Sequence, residues 1–253
     1  MAFPAETIVL CATQRCGSTM IVEDMRNTGV LGQPEEWFVP WSAKKPGINW
    51  RQALGGVVKR STSDNGIAAI KVMANQLAPV EECLATFSDA PSDAPYSRFA
   101  QVTKTAQFVK LERSDLVYQA ISRVIARQTG INHATGQKGD AHFAGNLMDG
   151  YQSDYNARTR YDYKMIRDEC TRITLENLTW SRFFETHGIV PEVLRYEDVS
   201  QDPDMKHLDM LASLLGVALP EERAQRKMVK LGNARNTEWR EQFYTDLGDR
   251  DFA

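Results

Sequence analysis

The sequence lacks paired cysteines. Its four, Cys11, Cys16, Cys83 and Cys170, form no C-x-x-C motif and have no suitably spaced histidine pair, so neither a disulfide framework nor structural zinc is expected. Long apolar runs are missing too: none approaches the roughly 18–20 residues needed to cross a bilayer, which argues against a membrane-spanning protein. An excess of one charge is also missing. Thirty Lys+Arg against 33 Asp+Glu leave −3 at pH 7, whereas general nucleic-acid or membrane-surface binding favours a basic excess. Any anion site must therefore be local. The opening Met1-Ala2-Phe3-Pro4-Ala5-Glu6 has no basic region and the apolar stretch behind it ends within six residues. No secretory signal is expected, and the protein is assigned to the cytoplasm.

What is present is ordinary globular material. The 253 residues are 42% hydrophobic and 25% charged, enough chain for one large α/β domain or two small ones. With no repeat, low-complexity tract or convincing linker, a single domain over 1–253 is the simplest organisation. The run Thr7-Ile8-Val9-Leu10-Cys11-Ala12 reads as a buried parallel strand, followed by a helix that opens at Gly17-Ser18-Thr19 and stops at Thr28-Gly29. A helix is expected over 50–59, where apolar residues fall at i, i+3 and i+4. Strands are expected over 67–73, with Lys71 inserted near the end, and over 107–111, where Ser114-Asp115 then starts a further helix. Residues 89–95 read as a surface loop, and 130–154 as a long loop or poorly periodic insertion. One long helix is expected over 157–187, a last strand over 190–196 whose Pro191 suits an edge or a strand start, and helices over 205–215 and 221–230. A basic and aromatic tail from 232 to 244 closes the chain. Strands separated by helices imply a parallel sheet covered on both faces.

The turn Thr13-Gln14-Arg15-Cys16-Gly17-Ser18-Thr19 falls at the carboxyl end of the first strand, where such sheets bind ligands. Gly17 permits close backbone approach, Ser18 and Thr19 offer hydroxyls, and the helix start carries partial positive charge. A phosphate or sulfate suits it. The Walker pattern G-x-x-x-x-G-K-[ST] is absent, since Ser18 follows Gly17, and no G-x-G-x-x-G supports a dinucleotide site.

As a set the motifs are more specific. Residues 10–19, then Thr28-Gly29-Val30-Leu31-Gly32-Gln33-Pro34-Glu35-Glu36-Trp37-Phe38, resemble the opening of the bacterial trehalose 2-sulfotransferase family. Arg113 and Ser122, nine residues apart, resemble the second sulfotransferase signature, and Arg235-Asn236-Thr237-Glu238-Trp239 resembles the closing motif. The likeness is strongest over 7–38 and 107–129 and fades across 130–156. It implies a P-loop-like, doubly wound α/β fold and transfer of a sulfuryl group from 3′-phosphoadenosine 5′-phosphosulfate (PAPS) to a sugar hydroxyl, without a metal. It also implies homodimers with acceptor sites near the partner subunit.

By resemblance, Arg15, Cys16, Gly17, Ser18 and Thr19 form the 5′-phosphosulfate loop, with Cys16 departing from the serine common there. Arg113 and Ser122 hold the 3′-phosphate, and Arg235 with Trp239 closes over the nucleotide. Glu36 is the implied general base and acceptor contact, with Glu35 as its rival. A carboxylate in a partly dry pocket suits that task. Trp37 and Trp41 offer flat faces to a sugar, although core packing is the competing use, and for Phe38 the favoured one. Lys71 is costly to bury unpaired, which points it at an anion or lets its head group reach water; with Arg15 and Glu36 it completes the catalytic set. His133 and His142 have no matching carboxylate and receive no role. Arg158, Arg160, Arg167 and Arg172 with Asp162, Asp168, Glu169 and Glu176 read as a solvated helix face. Two other readings remain: a nucleotide-binding protein of this fold without transfer activity, and a P-loop-type kinase.

Overall fold

The computed structural model describes residues 2–88, 94–140, 142–143 and 145–251, with side chains as far as 249; the loop expected at 89–95 falls mostly outside them. In chain order the elements are β1 (Thr7–Ala12), α1 (Ser18–Thr28), α2 (Trp50–Ser61), β2 (Ala68–Met73), α3 (Leu77–Ala85), α4 (Ser97–Val102), β3 (Gln107–Glu112) and α5 (Leu116–Thr129). After them come β4 (His133–Ala134), β5 (Leu147–Met148), α6 (Tyr163–His187), β6 (Glu192–Arg195), α7 (Tyr196–Gln201), α8 (Lys206–Leu215) and α9 (Ala234–Asp251). Contacts divide the chain into a unit of Met1–Glu112 with Glu176–Ala224 and a unit of Arg113–Leu175 with Gln225–Ala253.

The first unit holds a four-stranded parallel sheet ordered β2-β1-β3-β6. Every residue of β1 and β2 is buried, as continuous apolar runs in a sheet covered on both faces should be. Alternation then sorts the side chains. Val9, Cys11, Ile70, Val72 and Phe108 join a core with Leu54, Leu77, Phe99, Trp180 and Phe183. Ile8, Leu10 and Val109 point the other way and are equally buried. β6 pairs with β3 alone and begins just after Pro191, which fits the expected edge position. Local caps set two helix starts: Asn49 accepts from the Gln52 N–H at 3.0 Å, and Asp115 from the Tyr118 N–H at 2.8 Å.

In the second unit α5, the first half of α6 and α9 pack Val117, Ile121, Val124, Ile166, Ile173, Trp239 and Phe243 together. The segment expected as a long loop or poorly periodic insertion carries the parallel pair β4·β5, with Ala134, Met148 and Leu231 buried. Strands of two residues are too short to register as a period.

Several expectations need correction. Residues 221–230 are not helical: the Val229 N–H donates to the Ala134 carbonyl at 3.0 Å and the Gly136 N–H to that of Lys227 at 2.9 Å, so backbone groups that a helix needs internally are used sideways. α6 starts at Tyr163 rather than 157, because the Asp162 side chain accepts the Met165 N–H at 2.9 Å and caps the helix there. The tail from 232 is mostly α9, opened by Asn233 and Asn236, whose side chain accepts the Asn233 N–H at 3.1 Å. α3 and α4 were not foreseen. Nor is Glu169 solvated: it is 2% exposed and paired with Arg123, Arg127 and Arg172.

Candidate active site

The turn after β1 is built by two residues in the left-handed region, Arg15 at φ 67° and Gly17 at φ 88°. Gly17 is required twice over. Its positive φ suits glycine, and a Cβ there would lie 2.3 Å from Cδ2 of Tyr196, the first residue of α7. The Gly17 carbonyl accepts from the Met20 and Ile21 N–H groups, so α1 starts directly behind it, with no acidic residue in its first turn. Trp180 braces the strand end by donating its indole N–H to the Ala12 carbonyl at 3.0 Å. Cys16, Ser18 and Thr19 are buried and Arg15 is half-buried. Burial pushes the Cys16 thiol up, against the hydrogen bonds at Thr13 and Ser18 and the charge of Lys71, so it stays neutral.

The segment carrying Glu36 is docked on β2. A Cβ on Gly32 would meet the Ala69 nitrogen at 2.5 Å, so only glycine permits the approach, and the Lys71 N–H donates to the Glu35 carbonyl at 3.0 Å. The two neighbouring glutamates thereby part company. Glu35 faces Arg26 of α1 at 3.7 Å. Glu36 lies with Oε1 3.0 Å from the Lys71 Nζ, and its Oε2 accepts from the Gln76 amide at 2.9 Å. Gln76 is itself oriented, because its Oε1 accepts the Met73 N–H at 3.1 Å. Lys71, 3% exposed, also donates to the Thr19 hydroxyl at 3.3 Å. One buried ammonium thus joins the loop, through Thr19, to the carboxylate of Glu36.

Trp37 is half-buried, donates its indole N–H to the Gln33 carbonyl at 3.1 Å, and carries the Arg60 guanidinium 5.1 Å from its ring centroid. Trp41 is 5% exposed and packs in the core, 4.9 Å from Phe38 and 5.1 Å from Trp50 between centroids, so its ring has no free face to offer. Phe38 is core, as favoured.

The second unit holds the other named residues. Arg113 follows β3 directly, half-buried, with its guanidinium 5.1 Å from the centre of the Tyr118 ring; Lys230 approaches the same ring at 5.8 Å. Asp115 caps α5 and pairs with Arg240 at 2.8 Å. Ser122 is half-buried on α5. Arg235 donates to the Thr159 carbonyl at 2.9 Å, in a helix start with capping asparagines. His142 stacks on Phe143 at 4.8 Å, and among the described residues no three His, Cys, Asp or Glu side chains form a metal-sized cluster. Sequence reasoning missed Gln76 and Lys230. Neither carries a motif, and only the folded backbone brings them to Glu36 and Tyr118.

A parallel α/β sheet with a glycine-hinged loop at the first strand end and a buried lysine beside it defines a parallel-sheet α/β protein with a strand-to-helix turn. The chain belongs to the Stf0 sulphotransferase family, which matches residues 7–246. A trehalose 2-sulfotransferase of Mycobacterium tuberculosis is 28% identical over 156 residues, a stretch taking in 49% of this chain and 57% of that protein. The solved sulfotransferase of Alicyclobacillus acidocaldarius aligns over 98% of this chain and 94% of its own with 12% identity and a TM-score of 0.43.

Proposed function

We propose that this chain transfers the sulfuryl group of PAPS to a carbohydrate hydroxyl. The acceptor O–H gives its proton to the Glu36 carboxylate, the acceptor oxygen bonds to sulfur, and the bond from sulfur to the 5′-phosphate oxygen breaks in line. 3′-Phosphoadenosine 5′-phosphate (PAP) leaves and Glu36 is left protonated. Arg15 and the α1 start bind the phosphosulfate, since a guanidinium and free helical N–H groups both favour an anion. Lys71 supplies charge stabilisation, which together with positioning is most of what group transfer of this kind asks of a protein. Arg113 and Ser122 bind the 3′-phosphate. Trp37 is the aromatic residue with surface left for an acceptor.

The observation that carries this reading is the ion pair between Glu36 and Lys71 at 3.0 Å, beside Thr19 of the loop. The same lysine thus touches the carboxylate taken as base and the loop taken as the donor site, which supports their acting on one reaction. The family membership supports sulfuryl transfer, and the name of the mycobacterial relative makes trehalose the first sugar to test, followed by other disaccharides and glycolipid sugars. Calorimetric titration with PAP, 5′-AMP and ATP·Mg²⁺ tests the donor. PAP should bind far more tightly than the other two, and Arg113→Ala should weaken PAP about ten- to a hundredfold, the worth of a charge-assisted hydrogen bond. Preference for ATP·Mg²⁺ would overturn the reading in favour of a kinase. PAP binding with no sulfur-35 transfer from PAPS to any of these sugars would favour the binding protein without transfer activity.

A further inference from the structure

We infer that Lys71 is an exchangeable counter-ion, held by Glu36 in the free protein and given up to the donor's 5′-phosphosulfate when the donor binds. This rests on the donor and base assigned above. An ammonium has three donors, and among the described residues Lys71 meets two acceptors, Oε1 of Glu36 at 3.0 Å and Oγ1 of Thr19 at 3.3 Å. One N–H is left for a further oxygen. A cation whose side chain is 4% exposed cannot turn to water instead.

The two partners differ in what it costs to lose them. Thr19 is neutral and fixed in the first turn of α1. Glu36 is 29% exposed at its side chain, so its carboxylate can be rehydrated. A doubly charged group at the α1 start therefore competes with Glu36, and not with Thr19, for the same ammonium. Gln76 then keeps the released carboxylate in place: its amide is anchored by the Met73 N–H at 3.1 Å and continues to donate to Oε2 at 2.9 Å.

The charge of Glu36 and the binding of the donor should then oppose one another, through Lys71. A calorimetric double-mutant cycle with PAP reads this directly, using wild type, Glu36→Gln, Lys71→Met and the double variant, with melting curves to establish folding. Glu36→Gln should bind PAP about tenfold more tightly than wild type, within the 5- to 150-fold span of ordinary couplings. Lys71→Met should bind it more weakly, and adding Glu36→Gln to that background should gain nothing. If Lys71→Met fails to fold, Lys71→Gln serves in its place. Equal or weaker PAP binding by Glu36→Gln would overturn the exchange. So would the same gain without Lys71, which would mean direct repulsion. If no wild-type binding of PAP is seen, the donor assignment fails and the exchange fails with it, whereas binding without coupling defeats the exchange alone.

Discussion

Two carboxylate clusters, one in each unit, show opposite uses of the same chemistry. Glu169 is 2% exposed and surrounded by Arg123, Arg127 and Arg172, the last at 2.6 Å. A carboxylate with that many guanidinium partners has its oxygens occupied by charge-assisted contacts. Around Glu36 the balance is inverted: the cation is buried, the carboxylate is part-exposed, and Lys71 is divided between Glu36 and Thr19. A buried carboxylate with an excess of cations around it makes a fixed structural knot. A single cation shared with a half-open carboxylate makes a site that a ligand can rearrange.

Substitutions can break this contrast. Glu36→Gln should lower turnover about 100- to 10,000-fold, the usual worth of a general base, in a protein that a melting curve shows to be folded; a normal rate would move the base to Glu35 or elsewhere. Glu169→Ala should do the reverse. It removes the buried carboxylate on which Arg123, itself 5% exposed, Arg127 and Arg172 converge, and should cost about 3 kcal/mol of stability while turnover per folded molecule persists. Melting curves and specific activity together would separate the two clusters. Gly17→Ala should cost roughly 1–3 kcal/mol through its positive φ and the Tyr196 ring, and should weaken PAP binding measured by calorimetry, because the loop must shift.

The smallest effect concerns thiols. Burial, then the charges of Asp115 and Glu169, pushes Cys170 up to about 11, and burial followed by the charge of Glu82 pushes Cys83 to about the same value. Both pKa values are raised in the folded state, so their stabilising contribution is complete below the ordinary thiol value of 9.0 and is lost as pH rises towards about 11. At pH 8 iodoacetamide should modify Cys170 in the native protein roughly a hundredfold more slowly than in the unfolded chain. Fast labelling would show that the Glu169 neighbourhood opens easily.

The parts of the molecule that could be read in advance are those governed by neighbours in sequence. β1, the loop hinged at Gly17, α1, and α5 with its Asp115 cap were visible because strand runs, a glycine at a helix start and a side-chain cap act within a few residues. The β6 edge was visible in Pro191. The missed helices α3 and α4, of nine and six residues, are short, and the segment over 221–230 was misread because its backbone bonds run to residues 134–136. Trp41 shows the same limit: its sequence neighbours allowed both a sugar platform and a core ring, and only the rings of Phe38 and Trp50 packed against it decide for the core.

By itself, then, the sequence determined the parallel α/β class, the glycine-hinged strand-to-helix loop and the acidic pair at 35–36, since each is encoded by periodicity or by residues a turn apart. Only the tertiary structure decided that Glu36, not Glu35, meets Lys71, that Lys71 also reaches Thr19, and that Gln76 holds the other carboxylate oxygen. Those contacts join residues 35 to 52 positions apart in the chain. They exist because parallel pairing brings β2 alongside β1, and periodicity states which face a side chain occupies but not which distant residue will stand opposite it.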